Sequence, residues 1–388
     1  MTPAETSTAP NWSFRADEAA RSVTRLFGQR LLFLPGTHIA AIVRPSGRVK
    51  NLARPWHYWW QAHYVDCLVD TGRRELGTEG RPGTRFDGEN RPSAGQLASQ
   101  LVAGIRLRNF LTFVNSYYDD MAWLALSTLR LEKLAEDSRK AAKAQALLDW
   151  LDARLFDPEQ GMYLDGLRIA PGGDVVLESS IYTYNQGPVL GALLELGGEA
   201  NLARASALVA AVARNLTLPA PLMGRSATVL RCEGTGDGGL FTGILVRYLA
   251  LAAIDERLPA ETRNTAATLV NDTAEAFWEG RRIVAAQEPL ARKGGRILFS
   301  TRPELPARRS YPAGTAVELS TQLQAWMVLE AAASITGRSG LPEAAEAAEA
   351  AAAPDGPGDS AAGPAPQTTP DAMAGPAPES ATESPAGN

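Results

Sequence analysis

The stretch "TYNQGPVLGALLELGGEANLARASALVAAVARNL", residues 183–216, holds two helical patterns of different character. Each repeats apolar residues at three- and four-residue steps, which predicts α-helix with a buried side. The later one, from Leu202 to Leu216, is Ala-rich and ordinarily amphipathic. The earlier one carries Tyr184, Asn185 and Gln186 inside an otherwise apolar segment. Amides and phenols placed among apolar residues need partners when they are buried.

This alternation runs along the chain. Periodicity and end signals predict helices near 13–27, 57–73, 95–112, 117–134, 138–156, 181–197, 199–217, 239–255, 260–279 and 318–336. Those at 138–156, 199–217 and 260–279 are plain. Those at 57–73, 117–134, 181–197, 239–255 and 318–336 carry aromatics and amides. Trp60, Asp120, Tyr182 and Phe241 mark successive decorated helices and stand 60, 62 and 59 residues apart. A recurring period of plain and decorated helices predicts repeated helical hairpins. Closed into a ring, decorated helices would line the inside and plain ones the outer wall. The expected class is therefore all-α, an (α/α) barrel, although ten helices are fewer than six hairpins require. One short strand signal stands out, "ATVLRC" at 227–232.

The expected division is a flexible start over 1–12, a barrel over 13–340 and an acidic tail over 341–388. The tail is rich in Ala, Pro and Gly and poor in bulky apolar residues. It cannot bury enough surface to offset its ordering entropy, so it is expected to be disordered. It carries eight acids and no Lys or Arg, which leaves residues 1–340 with 35 acids against 38 bases. A formal net charge of -5 with no basic block argues against nucleic-acid binding. No segment reads as a secretory signal or a membrane span, so the expectation is a cytoplasmic monomer without a membrane partner. Cys67 and Cys232 are too few for a disulfide framework, and a single bridge between them stays open.

Chemistry concentrates in "NSYYDDMAWLALSTL", residues 115–129. Ser116 and Asp119 match the spacing of a helix capping box, with Asp120 complementing the helix dipole. The same adjacent pair also suits glycosidic-bond cleavage. Two carboxylates in one pocket cannot both ionise freely, so one becomes an acid and the other stays charged. Separations of ~5–5.5 Å give retention and ~6.5–9.5 Å inversion, and sequence neighbours fit the shorter distance more readily.

"RPWHYWWQAHYVDCL" packs Trp56, Tyr58, Trp59, Trp60 and Tyr64 within ten residues, rings suited to sugar faces or to a core. His57 and His63 lie on different helix faces, so no metal site is expected. "RCEGTGDGGLF", 231–241, formally holds G-x-G-x-x-G, but another helix follows where a βαβ unit needs a strand. Glu233 and Asp237 in that loop are better placed to touch a neutral ligand than a pyrophosphate, and no cofactor is expected.

Taken together, "YYDDMAW", "YTYNQG", "GGLFTGILVRYLAL" and "ELSTQLQAW" resemble glycoside hydrolase family 76, the α-1,6-mannanases, over roughly residues 50–335. The resemblance implies an (α/α)6 barrel and retaining cleavage of α-1,6-linked mannose chains. It implies Asp119 as nucleophile and Asp120 as general acid/base. It places Tyr184, Asn185 and Gln186 at the pocket, with a mannan-type carbohydrate as partner; the residues themselves add Trp59, Trp60, His63, Tyr118, Glu233 and Asp237 as candidate substrate contacts. A sugar-binding barrel without turnover and a mannan transglycosylase are the alternatives. A nucleotide-dependent oxidoreductase and a sugar epimerase rank below them, since His38, His57 and His63 are the only histidines for proton shuttling.

Overall fold

The structure is a computed structural model that describes residues 10–45, 56–76, 85–113, 123–124, 138–222 and 224–336. The chain divides into compact units Met1–Ala347 and Ala348–Asn388, and the second lies outside the described residues, as does the expected acidic tail.

Ten helices are described: α1 Trp12–Phe27, α2 Tyr58–Leu76, α3 Ala94–Arg108, α4 Ser138–Leu155, α5 Thr183–Leu196, α6 Gly198–Asn215, α7 Gly238–Ile254, α8 Ala260–Glu279, the single-turn α9 Ala307–Ser310 and α10 Leu319–Thr336. Local sequence explains their ends. Asn11 accepts from the Phe14 N–H at 2.9 Å, and Ser93 with Gln96 forms a capping box at the start of α3. Gly197, at φ +62°, turns the chain from α5 directly into α6.

Burial separates two layers. On α10 all but Ser334 and Thr336 are buried, and α7 is buried round most of its circumference. Helices apolar on every side belong in a core. By contrast α1 buries one stripe, including Ala16, Ala19, Ala20, Val23 and Phe27. α7 packs on α5, α10 and α8, and α10 packs on α1 and α2, while α3 lies against α2 and α6 against α5. Decorated helices are thus inside and plain ones outside, the layout of an (α/α)6 barrel. The 117–134 helix falls mostly outside the described residues; Trp123 and Leu124 are helical.

The strands were largely invisible in the sequence. Six two-stranded antiparallel ladders are described where one strand signal was read. The longest pairs Thr217–Leu222 with Arg225–Leu230, and four of the others run only two residues per strand, too short to show a period of two. One of these, Val43–Arg44 with Val317–Glu318, ties the beginning of the barrel to its last helix.

A repeated clamp joins these strands to the inner helices. Gln61, Gln186 and Gln322, the fourth residues of α2, α5 and α10, are all buried. Each amide bonds both backbone groups of one residue about 22 positions away: Gln61 with Ala40 (2.9 and 3.2 Å), Gln186 with Tyr163 (2.9 and 2.8 Å), Gln322 with Phe299 (2.9 and 2.9 Å). A connection that cannot bond to its own sheet is satisfied in this way by a side chain. Cys67 and Cys232 are free, buried thiols, and burial raises the pKa of both.

Candidate active site

The first turns of α2, α5, α7 and α10 converge at one end of the ring. Phe241 of α7 is the hub: its ring lies 4.5 Å from Tyr184, 5.3 Å from Tyr182 and 6.3 Å from Trp59. Trp59 stands edge-on to His63 at 5.5 Å, and His63 in turn meets Trp123 at 5.0 Å. Trp59, Tyr182, Tyr184 and Phe241 are all half-buried, so the cluster forms a partly open aromatic surface at this end of the ring in addition to filling a core.

Carboxylates and imidazoles stand among the rings. The Trp60 Nε1–H donates to Asp237 Oδ1 at 2.9 Å, and His57 stacks on Trp60 at 4.2 Å. Burial lowers the His57 pKa, against the pull of Asp237 and Glu318. Glu318, just ahead of α10, accepts from the Gly236 N–H at 2.7 Å and so pins the glycine loop. The Tyr184 hydroxyl donates to Asp165 Oδ1 at 2.6 Å, and Asn185 Nδ2 donates more weakly to the same residue. Partly buried aromatics beside fixed carboxylates can hold a polyhydroxy ligand, the rings taking its C–H faces and the carboxylates its hydroxyls. Among the described residues no group of three or more His, Cys, Asp or Glu is arranged to hold a metal ion.

The residues singled out in the sequence divide into three sets. Trp59, Tyr184, Asn185 and Asp237 are partly exposed at the opening. Trp60, His63, Gln186 and Glu233 are turned inward. Trp60 is buried beneath His57, and His63 is buried behind the Trp59 and Trp123 rings, with Nδ1 3.6 Å from Asp66. Gln186 spends its amide on Tyr163. Glu233 accepts from the Thr183 N–H (3.3 Å) and hydroxyl (2.9 Å), closing the N-terminus of α5. Burial raises its pKa despite those bonds. These four are held by bonds and packing within the chain, while the first set is open to solvent. Asp119, Asp120 and Tyr118 lie outside the described residues.

Asp165, Glu318 and Trp123 were missed as site residues. Trp123 follows the Asp pair by three and four positions, a helical spacing that could have placed it. Nothing local distinguishes Asp165, which reaches the site only because Tyr184 and Asn185 meet it.

An inner-helix toroid with aromatics and carboxylates at its helix N-termini defines the fold class, an (α/α)6 barrel. The family model of Glycosyl hydrolase family 76 matches residues 120–287. Similar solved structures include an inactive variant of the α-1,6-mannanase GH76A of Salegentibacter sp. HEL1_6, altered at two consecutive Asp residues and bound to α-1,6-mannotriose. It is 23% identical, covers 83% of this chain and 99% of its own, and superposes with a TM-score of 0.63. The Lin0763 protein from Listeria innocua is 21% identical over 84% of this chain and 97% of its own, TM-score 0.60. The family 76 mannosidase Bt3792 from Bacteroides thetaiotaomicron is 16% identical over 85% and 100%, TM-score 0.58. No curated protein sequence matches the chain. Over residues 120–287 the chain therefore resembles glycoside hydrolase family 76, and the solved structures share its fold.

Proposed function

We propose that this glycoside hydrolase cleaves α-1,6-mannosidic linkages with retention of configuration, using Asp119 as nucleophile and Asp120 as general acid/base. The observation that carries the reading is the family match, which opens on Asp120, the second residue of an adjacent Asp pair. A relative bound to α-1,6-mannotriose is inactive when two consecutive Asp residues are replaced, which supports the same use of the pair here. In retention, one carboxylate attacks the anomeric carbon while its neighbour protonates the leaving oxygen; the neighbour then takes a proton from water as the glycosyl-enzyme opens. Tyr184, Asn185, Asp165, Trp59 and Asp237 would hold the mannose rings beside that pair.

The test is reducing-sugar release from α-1,6-mannan, with product anomers followed by NMR. Wild-type protein is expected to release the α-anomer first. Asp119→Asn and Asp120→Asn are each expected to cut the rate by at least about 100-fold without changing the melting temperature. Cleavage at the wild-type rate by Asp119→Asn would reject the assignment. Binding of mannotriose with no product would identify a sugar-binding barrel, and oligosaccharides longer than the substrate a transglycosylase.

A further inference from the structure

The hairpin of Gly166–Ile169 with Val175–Glu178 carries an apolar face in water. Its register sets Leu167 opposite Leu177 and Ile169 opposite Val175, so all four share one face. That face looks into water: Leu167 is 39%, Ile169 76%, Val175 66% and Leu177 45% exposed. The opposite face carries half-buried Val176 and the partly exposed ion pair of Arg168 with Glu178. A one-sided strand pair ordinarily turns its aliphatic side chains inward and its charges out. A contiguous apolar face displayed to solvent marks a place of contact.

The hairpin springs from the rim of the opening. The Asp165 N–H donates to Ser180 O at 2.8 Å across its base, and Asp165 also holds the Tyr184 hydroxyl. A second apolar projection stands by α2. After α3 the chain carries Phe110 and Leu111, 92% and 66% exposed, both in left-handed backbone at φ 55° and 65°. Two residues on, Phe113 O accepts from the Tyr58 hydroxyl at the first turn of α2 at 3.0 Å. Because Trp59, Phe241 and Tyr184 meet, the starts of α2 and α5 lie at the same end of the ring, and so do the two projections.

We propose that this rim docks on an anionic lipid surface, with the hairpin and the Phe110–Leu111 turn inserted and the opening facing the membrane. Two projections, one by α2 and one by α5, suit a planar surface. A compact partner covering both would plug the opening between them. A second copy is poorly served, since four aliphatic side chains fall well short of the roughly 800 Å² per partner of a stable interface. Exposed Arg106 beside the Phe110 turn supplies charge for anionic headgroups, and Arg108 lies over the Trp56 ring at 5.4 Å. That no described helix is long and apolar enough to cross a membrane is compatible with docking from one side. Sugar chains tethered at that surface are then those within reach, a consequence that rests on the proposed function; the docking does not.

The experiment floats the full chain with vesicles of phosphatidylcholine and phosphatidylglycerol. Wild-type protein is expected to rise with the vesicles. The Ile169→Glu/Val175→Glu double variant, and separately Phe110→Glu, are each expected to lower the bound fraction by at least about tenfold while cleaving soluble α-1,6-mannotetraose at the wild-type rate. Wild-type protein that stays with the unbound fraction would overturn the proposal, as would variants that float like wild type. A wild-type dimer in light scattering that the double variant dissociates would also overturn it, in favour of a second copy. Flotation is read without turnover, so its failure and that of the Asp119 assignment are told apart directly.

Discussion

His38 shows how one buried group sets an acid limit on stability. Its Nε2 lies 2.8 Å from the Tyr64 hydroxyl, and burial pulls its pKa down to about 4. The folded chain therefore keeps the ring neutral while the unfolded chain takes up a proton near pH 6.5. Between those values the unfolded state binds more protons, so stability falls as pH drops through this window. Urea unfolding at pH 7 and pH 4 is expected to show a loss that His38→Gln reduces by about 3 kcal/mol. An equal loss in both proteins would show that other groups carry it. At the same scale, the structure leaves Tyr184 and Asn185, both singled out in the sequence, half-buried beside Asp165. The sequence could not tell them from Gln186, because three consecutive residues on a helix point in three directions and only the packing fixes which faces inward.

The element scale belongs to the glutamine clamps. Gln322 bonds both the N–H and C=O of Phe299, and all three groups are buried. Gln322→Leu keeps the volume roughly constant but strands two buried backbone groups, an expected cost of about 2–5 kcal/mol in chemical denaturation. A cost under about 1 kcal/mol would mean that water replaces the amide. The long helices were readable because their apolar faces repeat every three or four residues. The two-residue ladders were not, since their stability comes from these side-chain clamps and from neighbouring helices and leaves no local pattern.

Across the whole molecule, a charged cluster crosses the interior from α2 to α7. Arg247 donates to Asp70 at 3.0 Å and to Asp66 at 3.4 Å, and Asp66 also approaches His63 beneath the Trp59 ring. Burial opposes the Arg247 charge most strongly, yet the carboxylates together outweigh it and raise its pKa. Arg247→Met would leave buried Asp66 and half-buried Asp70 without this counter-charge. It is expected to destabilise the barrel by roughly 3–5 kcal/mol, read as an earlier urea midpoint with an unchanged slope. A midpoint at the wild-type position would show the cluster to be dispensable.

The amino-acid order alone determined that this chain is helical and that plain and decorated helices alternate. Those features are local, written in the periodicity and composition of single segments. Only the tertiary structure decided that Gln186 and Glu233 serve the scaffold, that Asp165 reaches Tyr184, and that the Leu167–Leu177 face points to water. Burial and hydrogen-bond partners depend on which segments meet, and that is fixed by the ring as a whole.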